Sequence, residues 1–231
     1  MLRVDGLCKS YGPIAAVRGV SFSLEKGRIT ALLGENGAGK TTILKTVLGF
    51  LVPDAGTVEL AARRVGYVAD QPAFLPWLRG RSLLDLTRLA AGAARPEWEA
   101  RVRGLCGGLR FDPRLLERPP RMYSAGNAKK FAFLQSLALE PDLLVVDEPF
   151  AALDPPSVRR TRDLLVAMRD CGATVLLSSH MLAEVVRTSD DFMVIRQGGV
   201  VARSGLAEFL TRVGTAAAGD IESAFLGLIQ G

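Results

Sequence analysis

Cysteine is scarce in this chain of 231 residues, and long apolar runs are missing. The three cysteines, Cys8, Cys106 and Cys171, lie far apart and form no CxxC pair, which argues against a disulfide framework and against a zinc site. No run of about 18 apolar residues is present, and the first residues lack the apolar core of a signal peptide. The sequence therefore predicts a chain that works in a reducing compartment and does not cross a membrane by itself.

A strong charge of one sign is also lacking. The 29 basic and 24 acidic residues leave a net charge of +5 that is spread along the chain. Short basic clusters such as Lys129 with Lys130 are typical of solvated faces, and no basic run alternates with aromatic residues. The composition therefore predicts no nucleic-acid partner, and the length suits one α/β domain with room for an inserted lobe.

A glycine-rich stretch, GENGAGKTT at positions 34–42, is the most informative part of the sequence. It matches the P-loop pattern of a glycine, four residues, and then Gly39, Lys40 and Thr41. Glycines let successive backbone N–H groups turn inward around a polyphosphate, Lys40 supplies a cation for the outer phosphates, and the Thr41 hydroxyl can ligate Mg²⁺. The stretch therefore predicts a site for the phosphates of a nucleotide.

The segments on either side of this stretch have the pattern that a P-loop requires. Residues 28–34 are predicted as a buried strand, and residues 40–49 as a helix that ends at Gly49. The N-terminus of such a helix favours an anion. A glycine-rich turn without a ligand is the alternative, and the order strand, loop, helix disfavours it.

Two carboxylates and a histidine follow buried strands further along the chain. Residues 142–149 are apolar enough for a central parallel strand and contain Asp147 and Glu148. At the sheet edge that holds the P-loop, Asp147 can hold Mg²⁺ and Glu148 can polarise an attacking water, whereas a solvated strand end is the alternative. His180, the sole histidine, ends the strand at 173–180, where it either reaches a ligand or has a structural role.

Three further features leave alternatives open. Tyr11, in a turn at 10–13, can stack on a nucleobase or cover the edge of a sheet. The apolar cluster from Phe74 to Leu78 can form a docking groove for a partner helix or plug the core. A helix at 124–140 begins with small residues, so Ser124 can cap it, leave its N–H groups open to an anion, or do both.

The P-loop, Gln71, the small-residue helix start, the acid pair, Asp154 and His180 occur in this order. This succession resembles the nucleotide-binding subunit of ABC transporters over almost the whole chain. The resemblance implies an α/β fold of the P-loop NTPase class, with a mixed central sheet, an N-terminal antiparallel β-subdomain and an inserted α-helical subdomain.

The resemblance also implies a division of the chain. A single ABC ATPase domain is expected over residues 1–231. Its RecA-like core, together with the antiparallel subdomain, is expected at 1–76 and 141–212, and the helical subdomain with the signature sequence at 77–140. A helical tail is expected at 213–231.

ATP and Mg²⁺ are the implied cofactors. The resemblance assigns catalysis to Glu148 as the base, His180 as the switch histidine, and Gln71 as the loop residue that touches the metal and relays to the membrane partner. Thr41, Gln71 and Asp147 are the implied metal-binding residues. The implied ATP-binding residues are Tyr11, Gly34, Asn36, Gly37, Ala38, Gly39, Lys40, Thr41, Thr42, Ser124, Ala125, Gly126, Asn127 and Asp154.

The segment YSAGN at 123–127 resembles the LSGGQ signature, which in the family binds the γ-phosphate of ATP held by the opposite subunit. Asp154 resembles the acid of the D-loop, which crosses the dimer interface. Ala125 and Asn127 depart from the signature, and the added methyl group of Ala125 puts the rate of activation across the interface in question. Because Ser124 and Gly126 remain, hydrolysis is still expected.

The implied assembly is a head-to-tail homodimer that binds two ATP molecules at its seam and docks on transmembrane permease subunits of a separate chain. The subunit would then be cytoplasmic, on the inner face of the cell membrane. The sequence IESAFLGLIQ near the C-terminus resembles exporter-type, ABC-2-like subunits, so export is predicted. The alternatives are a weakly hydrolysing regulatory subunit of an asymmetric ABC complex and a soluble ABC protein of DNA repair or translation.

Overall fold

The computed structural model describes residues 2–208, so the predicted tail at 213–231 lies outside the described part. The N-terminal part of the chain forms a three-stranded antiparallel sheet. The strands of this sheet are β1 (Leu2–Tyr11), β2 (Ile14–Leu24) and β4 (Ala55–Leu60), in the spatial order β2–β1–β4.

A six-stranded mixed sheet forms the centre of the molecule. Its strands, in spatial order, are β5 (Val65–Val68), β6 (Leu143–Asp147), β7 (Thr174–Ser179), β3 (Ile29–Leu33), β8 (Asp191–Arg196) and β9 (Gly199–Gly205). The first five strands run parallel, and β9 pairs antiparallel with β8. The prediction of a mixed central sheet beside an antiparallel subdomain is therefore confirmed.

The central strands are buried on both faces, which explains why their sequences are continuous apolar runs. Every residue of β3, β6 and β7 is buried. In β6, Leu144 and Val146 face the core on the side of the helical subdomain, whereas Leu143 and Val145 face the core beneath the antiparallel sheet. Because β3, β6 and β7 run parallel, their carboxyl ends meet at one edge of the sheet, where polar residues follow.

Six α-helices lie between β3 and β8 in the described part of the chain, and residues 206–208 are also helical. The six helices are α1 (Lys40–Val47), α2 (Gly80–Ala90), α3 (Arg95–Leu109), α4 (Ala125–Ala138), α5 (Pro155–Asp170) and α6 (Leu182–Val186). The helices α2 to α4 lie in the chain between β5 and β6, as the predicted helical insertion requires. Two short 3-10 helices, Pro113–Glu117 and Pro120–Met122, separate α3 from α4.

An aromatic cluster holds the helical insertion together. The ring of Phe131 contacts the rings of Phe74, Phe111 and Tyr123 at centroid distances of 5.1, 6.0 and 5.7 Å. The Tyr123 hydroxyl donates to the carbonyl of Leu115 at 2.7 Å, and burial raises the pKa of Tyr123 to about 12. This phenol therefore stays protonated and remains a donor at neutral pH.

The apolar loop at 71–80 divides between the two predicted roles. Phe74 and Leu78 pack against the core, whereas Leu75 and Trp77 are 45% and 70% exposed. The loop thus covers part of the core and also leaves part of its apolar surface exposed to solvent. Between residues 2 and 208, no helix is long and apolar enough to cross a membrane.

One turn differs from the sequence prediction. It was expected at 10–13, but β1 continues to Tyr11, which pairs with Ile14. The turn between β8 and β9 contains two successive residues with positive φ, Gln197 (47°) and Gly198 (82°), and Gly199 begins β9. Two successive positive φ angles suit the right-handed twist of a hairpin.

Candidate functional site

The P-loop leaves the end of β3 and enters α1 through a glycine that no other residue can replace without strain. Gly39 is the N-cap of α1 and has a left-handed φ of 104°. A Cβ atom at this position would lie 2.3 Å from the carbonyl oxygen of Ala16 in β2. The predicted strand, loop and helix are therefore present, and the loop is pressed against the antiparallel sheet.

Lys40 lies beneath the loop and is only 6% exposed. Its Nζ donates to the carbonyl oxygens of Gly34 at 2.7 Å and Glu35 at 3.1 Å, and it lies 3.6 Å from Oε1 of Glu148. A cavity of about 210 Å³ opens above the loop. This P-loop cavity is lined by Ala16, Asp70, Glu148 and every residue from Glu35 to Thr42.

Thr41, at the start of α1, lines this cavity and contacts Asp147, at the end of β6. Thr41 Oγ1 donates to Asp147 Oδ2 at 2.8 Å. Asp147 is 2% exposed, and its Oδ1 accepts a short hydrogen bond from the hydroxyl of Ser178. A hydroxyl and a carboxylate are hard oxygen ligands, so this pair has the chemistry that Mg²⁺ requires.

Glu148 has a strained backbone and an unsatisfied oxygen. Its φ is +49°, which is unusual for a residue other than glycine and concentrates at functional sites. Oε1 is buried and accepts no hydrogen bond from the described residues, while Oε2 lies 3.0 Å from Nδ1 of His180. The structure therefore brings the predicted base and the sole histidine into contact, beside Lys40.

The predicted signature residues lie at an exposed helix start. Ser124 caps α4 by accepting a hydrogen bond from the backbone N–H of Asn127 at 3.3 Å. Ser124 and Ala125 are exposed, and Gly126 lies next to the carbonyl oxygen of Ala152. Among the described residues, those that line the P-loop cavity do not include any of the signature.

Asp154 is the N-cap of α5. It accepts a hydrogen bond from the backbone N–H of Ser157 at 2.8 Å, and the hydrogen bonds from Ser157 lower the pKa of Asp154. The pair of Asp154 and Pro155 thus starts the helix as the sequence indicates.

Tyr11 and Gln71 are not among the described residues that line the P-loop cavity. Tyr11 ends β1 and is 47% exposed. Gln71 lines a second cavity of about 900 Å³, whereas its neighbour Asp70 lines the P-loop cavity. We call this second cavity the groove; its lining includes Lys45, Arg63, Arg64, Tyr67, Gln71, Phe74 and Leu75.

Sequence reasoning missed two polar residues at this centre. Ser178 holds Asp147, but a serine within a buried strand carries no separate signal. Lys129 was expected on a solvated face, and this expectation is wrong, because it is 1% exposed. A signal for its burial was available: Lys129 lies four residues before Phe133 and seven before Ser136, on the buried side of α4.

A family model described as ABC transporter matches residues 17–151, which include the P-loop and the acid pair. The chain belongs to the ABC transporter family. It is an ABC-type ATPase subunit, it binds ATP, and its P-loop fold with a mixed sheet, an antiparallel sheet and a helical subdomain is that of the family.

Several proteins resemble this ABC ATPase subunit along most of its length. EcsA of Bacillus subtilis (strain 168), an ABC-type transporter ATP-binding protein, is 31% identical over 225 residues, covering 93% of this chain and 91% of EcsA. Nod factor export ATP-binding protein I of Ralstonia nicotianae is 34% identical over 222 residues, covering 91% of this chain and 69% of that protein.

An import protein is equally similar. Fe(3+) ions import ATP-binding protein FbpC 1 of Rhodococcus jostii is 35% identical over 211 residues, which cover 85% of this chain but only 60% of the relative. A solved structure titled as the ATP binding subunit of an ABC transporter has a TM-score of 0.89 and 28% identity, covering 99% of both chains. The relatives thus include both directions of transport.

Proposed function

We propose that this ABC subunit hydrolyses ATP with Mg²⁺ at the interface of a head-to-tail homodimer and energises export through transmembrane permease subunits on a separate chain. One observation carries the hydrolytic part of the proposal. Three segments of the chain meet at one sheet edge: Lys40, Thr41 and Glu148 line the P-loop cavity, Thr41 contacts Asp147, and Glu148 contacts His180.

Thr41 and Asp147 would hold Mg²⁺, because their oxygens are 2.8 Å apart and Asp147 is kept in place by Ser178. When bound, the metal neutralises charge on the phosphate oxygens. Gln71 directly follows Asp70, which already lines the P-loop cavity, and would join the metal site when its loop moves towards this cavity.

Glu148 would act as the general base for the attacking water. Its buried Oε1 has room for a hydrogen bond, and its Oε2 faces Nδ1 of His180 at 3.0 Å. His180 would orient this carboxylate, and Lys40 would stabilise charge on the outer phosphates. The proton of the water would pass to Glu148, which is a single transfer over a hydrogen bond.

The ATP site would extend beyond the cavity. Tyr11, half-exposed at the end of β1, would stack on adenine. The helix start at Ser124 to Asn127 would act on ATP held by the partner copy, together with Asp154, which follows the Ala152 carbonyl beside Gly126 by two residues. The described residues that line the P-loop cavity include neither this helix start nor Asp154, which fits a site completed by a second subunit.

A membrane partner would dock a helix in the groove. The groove combines apolar lining, such as Phe74 and Leu75, with the basic residues Arg63 and Arg64 at its edge. An amphipathic helix of a permease subunit with acidic side chains would complement both features. Gln71 lines this groove and follows Asp70, so the partner's movements would reach the P-loop cavity.

Export is the finer part of the proposal. The sequence IESAFLGLIQ supports it, together with the similarity to a Nod factor export protein at 34% identity. Docking on permease subunits would place this subunit on the cytoplasmic face of the cell membrane. We also propose that the chain divides into a core at 1–76 and 141–212 and a helical subdomain at 77–140.

The substitution Glu148→Gln tests the proposed chemistry. We expect it to lower kcat for ATP by at least about 10², since a general base contributes about 10² to 10⁴ in rate. The affinity for ATP should stay within about threefold, because the P-loop is unchanged. Glu25→Gln is the matched control, since the Glu25 side chain is exposed and does not line the P-loop cavity. A Glu148→Gln protein with the kcat of the wild type would remove Glu148 from the mechanism.

A further inference from the structure

Lys129 is a buried cation that the proposed mechanism does not use. It lies in α4, five residues after the capping Ser124, and its side chain is 2% exposed. Its Nζ donates to the carbonyl oxygens of Ala69 at 3.1 Å, Asp70 at 3.0 Å and Asp147 at 3.0 Å. All three N–H bonds of the ammonium are therefore matched by backbone acceptors.

Three carbonyl groups, of which that of Asp147 is buried and those of Ala69 and Asp70 are partly buried, point at one position and call for a group with three donors. An apolar side chain would leave the three oxygens without partners, and a buried carbonyl without a partner is costly. The charge is balanced nearby, since Oδ1 of Asp70 lies 3.8 Å from Nζ. Burial lowers the pKa of Lys129, while the carboxylates of Asp70, Asp147 and Glu148 oppose this shift.

One of these contacts fixes the peptide bond that precedes Glu148. The carbonyl of this peptide, from Asp147, accepts from Lys129, and its N–H, from Glu148, donates to the carbonyl and hydroxyl of Ser178 at 3.1 and 3.2 Å. Because the peptide is planar, holding both ends fixes its orientation. This peptide is one of the two groups that define φ at Glu148, so its fixed orientation helps to hold the angle of +49°, and a strained angle persists only where its surroundings hold it.

The other two contacts fix the start of the loop that contains Gln71. Ala69 and Asp70 follow β5 directly, and Asp70 lines the P-loop cavity. One ammonium thus joins the ends of two neighbouring strands, β5 and β6, to the first turns of α4. Each of the three segments carries a residue that the proposed function assigns to ATP hydrolysis.

We propose that Lys129 is a positioning residue for hydrolysis. It fixes the Asp147–Glu148 peptide and the start of the Gln71 loop relative to the helix that begins at Ser124. A shift of this helix would therefore turn the Glu148 carboxylate and move the Gln71 loop together. The proposal rests on the proposed function, in which Glu148 is the base.

The substitutions Lys129→Met and Lys129→Gln test this role. Methionine has a similar length but no donor, whereas glutamine keeps an amide that can serve two of the three carbonyls. Lys26→Met is the matched control, because Lys26 is exposed in the turn between β2 and β3. The measurements are kcat, the Kd for ATP, and amide hydrogen exchange by mass spectrometry on the full chain.

We expect Lys129→Met to lower kcat at least tenfold and Lys129→Gln to lower it less, with the Kd for ATP within threefold of the wild type in both. Exchange should become at least tenfold faster in peptides that cover residues 146–149 and stay within twofold in peptides that cover α3. Lys26→Met should match the wild type throughout. If Lys129→Met does not fold, Lys129→Gln is judged by a threefold loss of kcat and by the same local exchange.

Two results would overturn the positioning role. One is a kcat for Lys129→Met within twofold of the wild type. The other is exchange that rises equally at residues 146–149 and in α3, since this would mean a general loss of stability. Failure of this inference differs from failure of the proposed function: in the first case Glu148→Gln still abolishes turnover, and in the second it does not.

Discussion

At the scale of single residues, the site depends on contacts between groups that are far apart in the chain. Thr41 and Asp147 are separated by 106 positions, yet their oxygens are 2.8 Å apart. Glu148 contacts Lys40 on one side and His180 on the other. The role of each side chain therefore depends on the groups that it contacts. A substitution that keeps the shape of the side chain but removes its polar atom tests that role.

The Thr41 hydroxyl offers such a separation. Thr41→Val keeps the shape but removes the oxygen, so we expect the Mg²⁺ concentration for half-maximal ATPase activity to rise at least about tenfold, because the metal loses one of its few protein ligands. Thr41→Ser keeps the hydroxyl and should stay within about threefold. The measurement is a Mg²⁺ titration at saturating ATP. A normal Mg²⁺ requirement in Thr41→Val would exclude Thr41 as a ligand.

The residues that sequence reasoning identified are those whose type alone indicates their chemistry. A P-loop lysine, paired acids after an apolar strand and a sole histidine after another could be read from the order of motifs. Lys129 was misjudged because a pair of lysines in a helix is typical of a solvated face. Its helical spacing to Phe133 and Ser136 signals burial. Its long-range contacts with Ala69, Asp70 and Asp147 carry no signal in the sequence.

At the scale of elements, the β8–β9 hairpin supports the P-loop from behind. The N–H of Gly198 donates to the carbonyl of Ala38 at 3.0 Å, and its carbonyl accepts from the N–H of Arg18 at 2.8 Å. The turn thus bridges the phosphate loop and β2. A Cβ atom on Gly198 would lie 2.7 Å from the carbonyl oxygen of Ala16, so the close approach requires glycine.

Alanine substitutions in this turn should therefore differ sharply. Gly198→Ala adds both a clash and a strained φ of 82°, so we expect a loss of about 1–3 kcal/mol in the free energy of unfolding and a weaker affinity for ATP. Gly199→Ala is the matched control, since its Cβ would meet no atom closer than 3.8 Å, and its change should be within about 0.5 kcal/mol. Urea unfolding and ATP titration measure both effects. Equal behaviour of the two variants would contradict the supporting role.

Elements with a strong hydrophobic pattern were predictable, and their ends were less so. The strands β3, β6 and β7 are fully buried, and their apolar runs indicate this directly. The end of β1 was missed because its last pairs, up to Tyr11 with Ile14, depend on the ladder with β2 and not on local turn residues. The positive φ of Gln197 also carries no signal in the sequence, because glutamine seldom adopts it.

At the scale of the whole molecule, one copy holds the P-loop cavity but presents the signature residues elsewhere. Ser124 and Ala125 are exposed at the start of α4, and the described residues around the cavity include neither. The family membership and fold were predictable because the order of motifs is specific. The homodimer on permease subunits stays a prediction, because it also depends on the surfaces of other copies and other chains. The direction of transport also depends on those chains.

The dependence of ATPase activity on protein concentration tests the central claim most directly, namely that two copies complete one reaction centre. Specific activity of the purified chain, with its oligomeric state measured by sedimentation at each concentration, should rise with concentration and level off when ATP-bound dimer predominates. A constant, full specific activity at concentrations where sedimentation finds only monomer would contradict the claim.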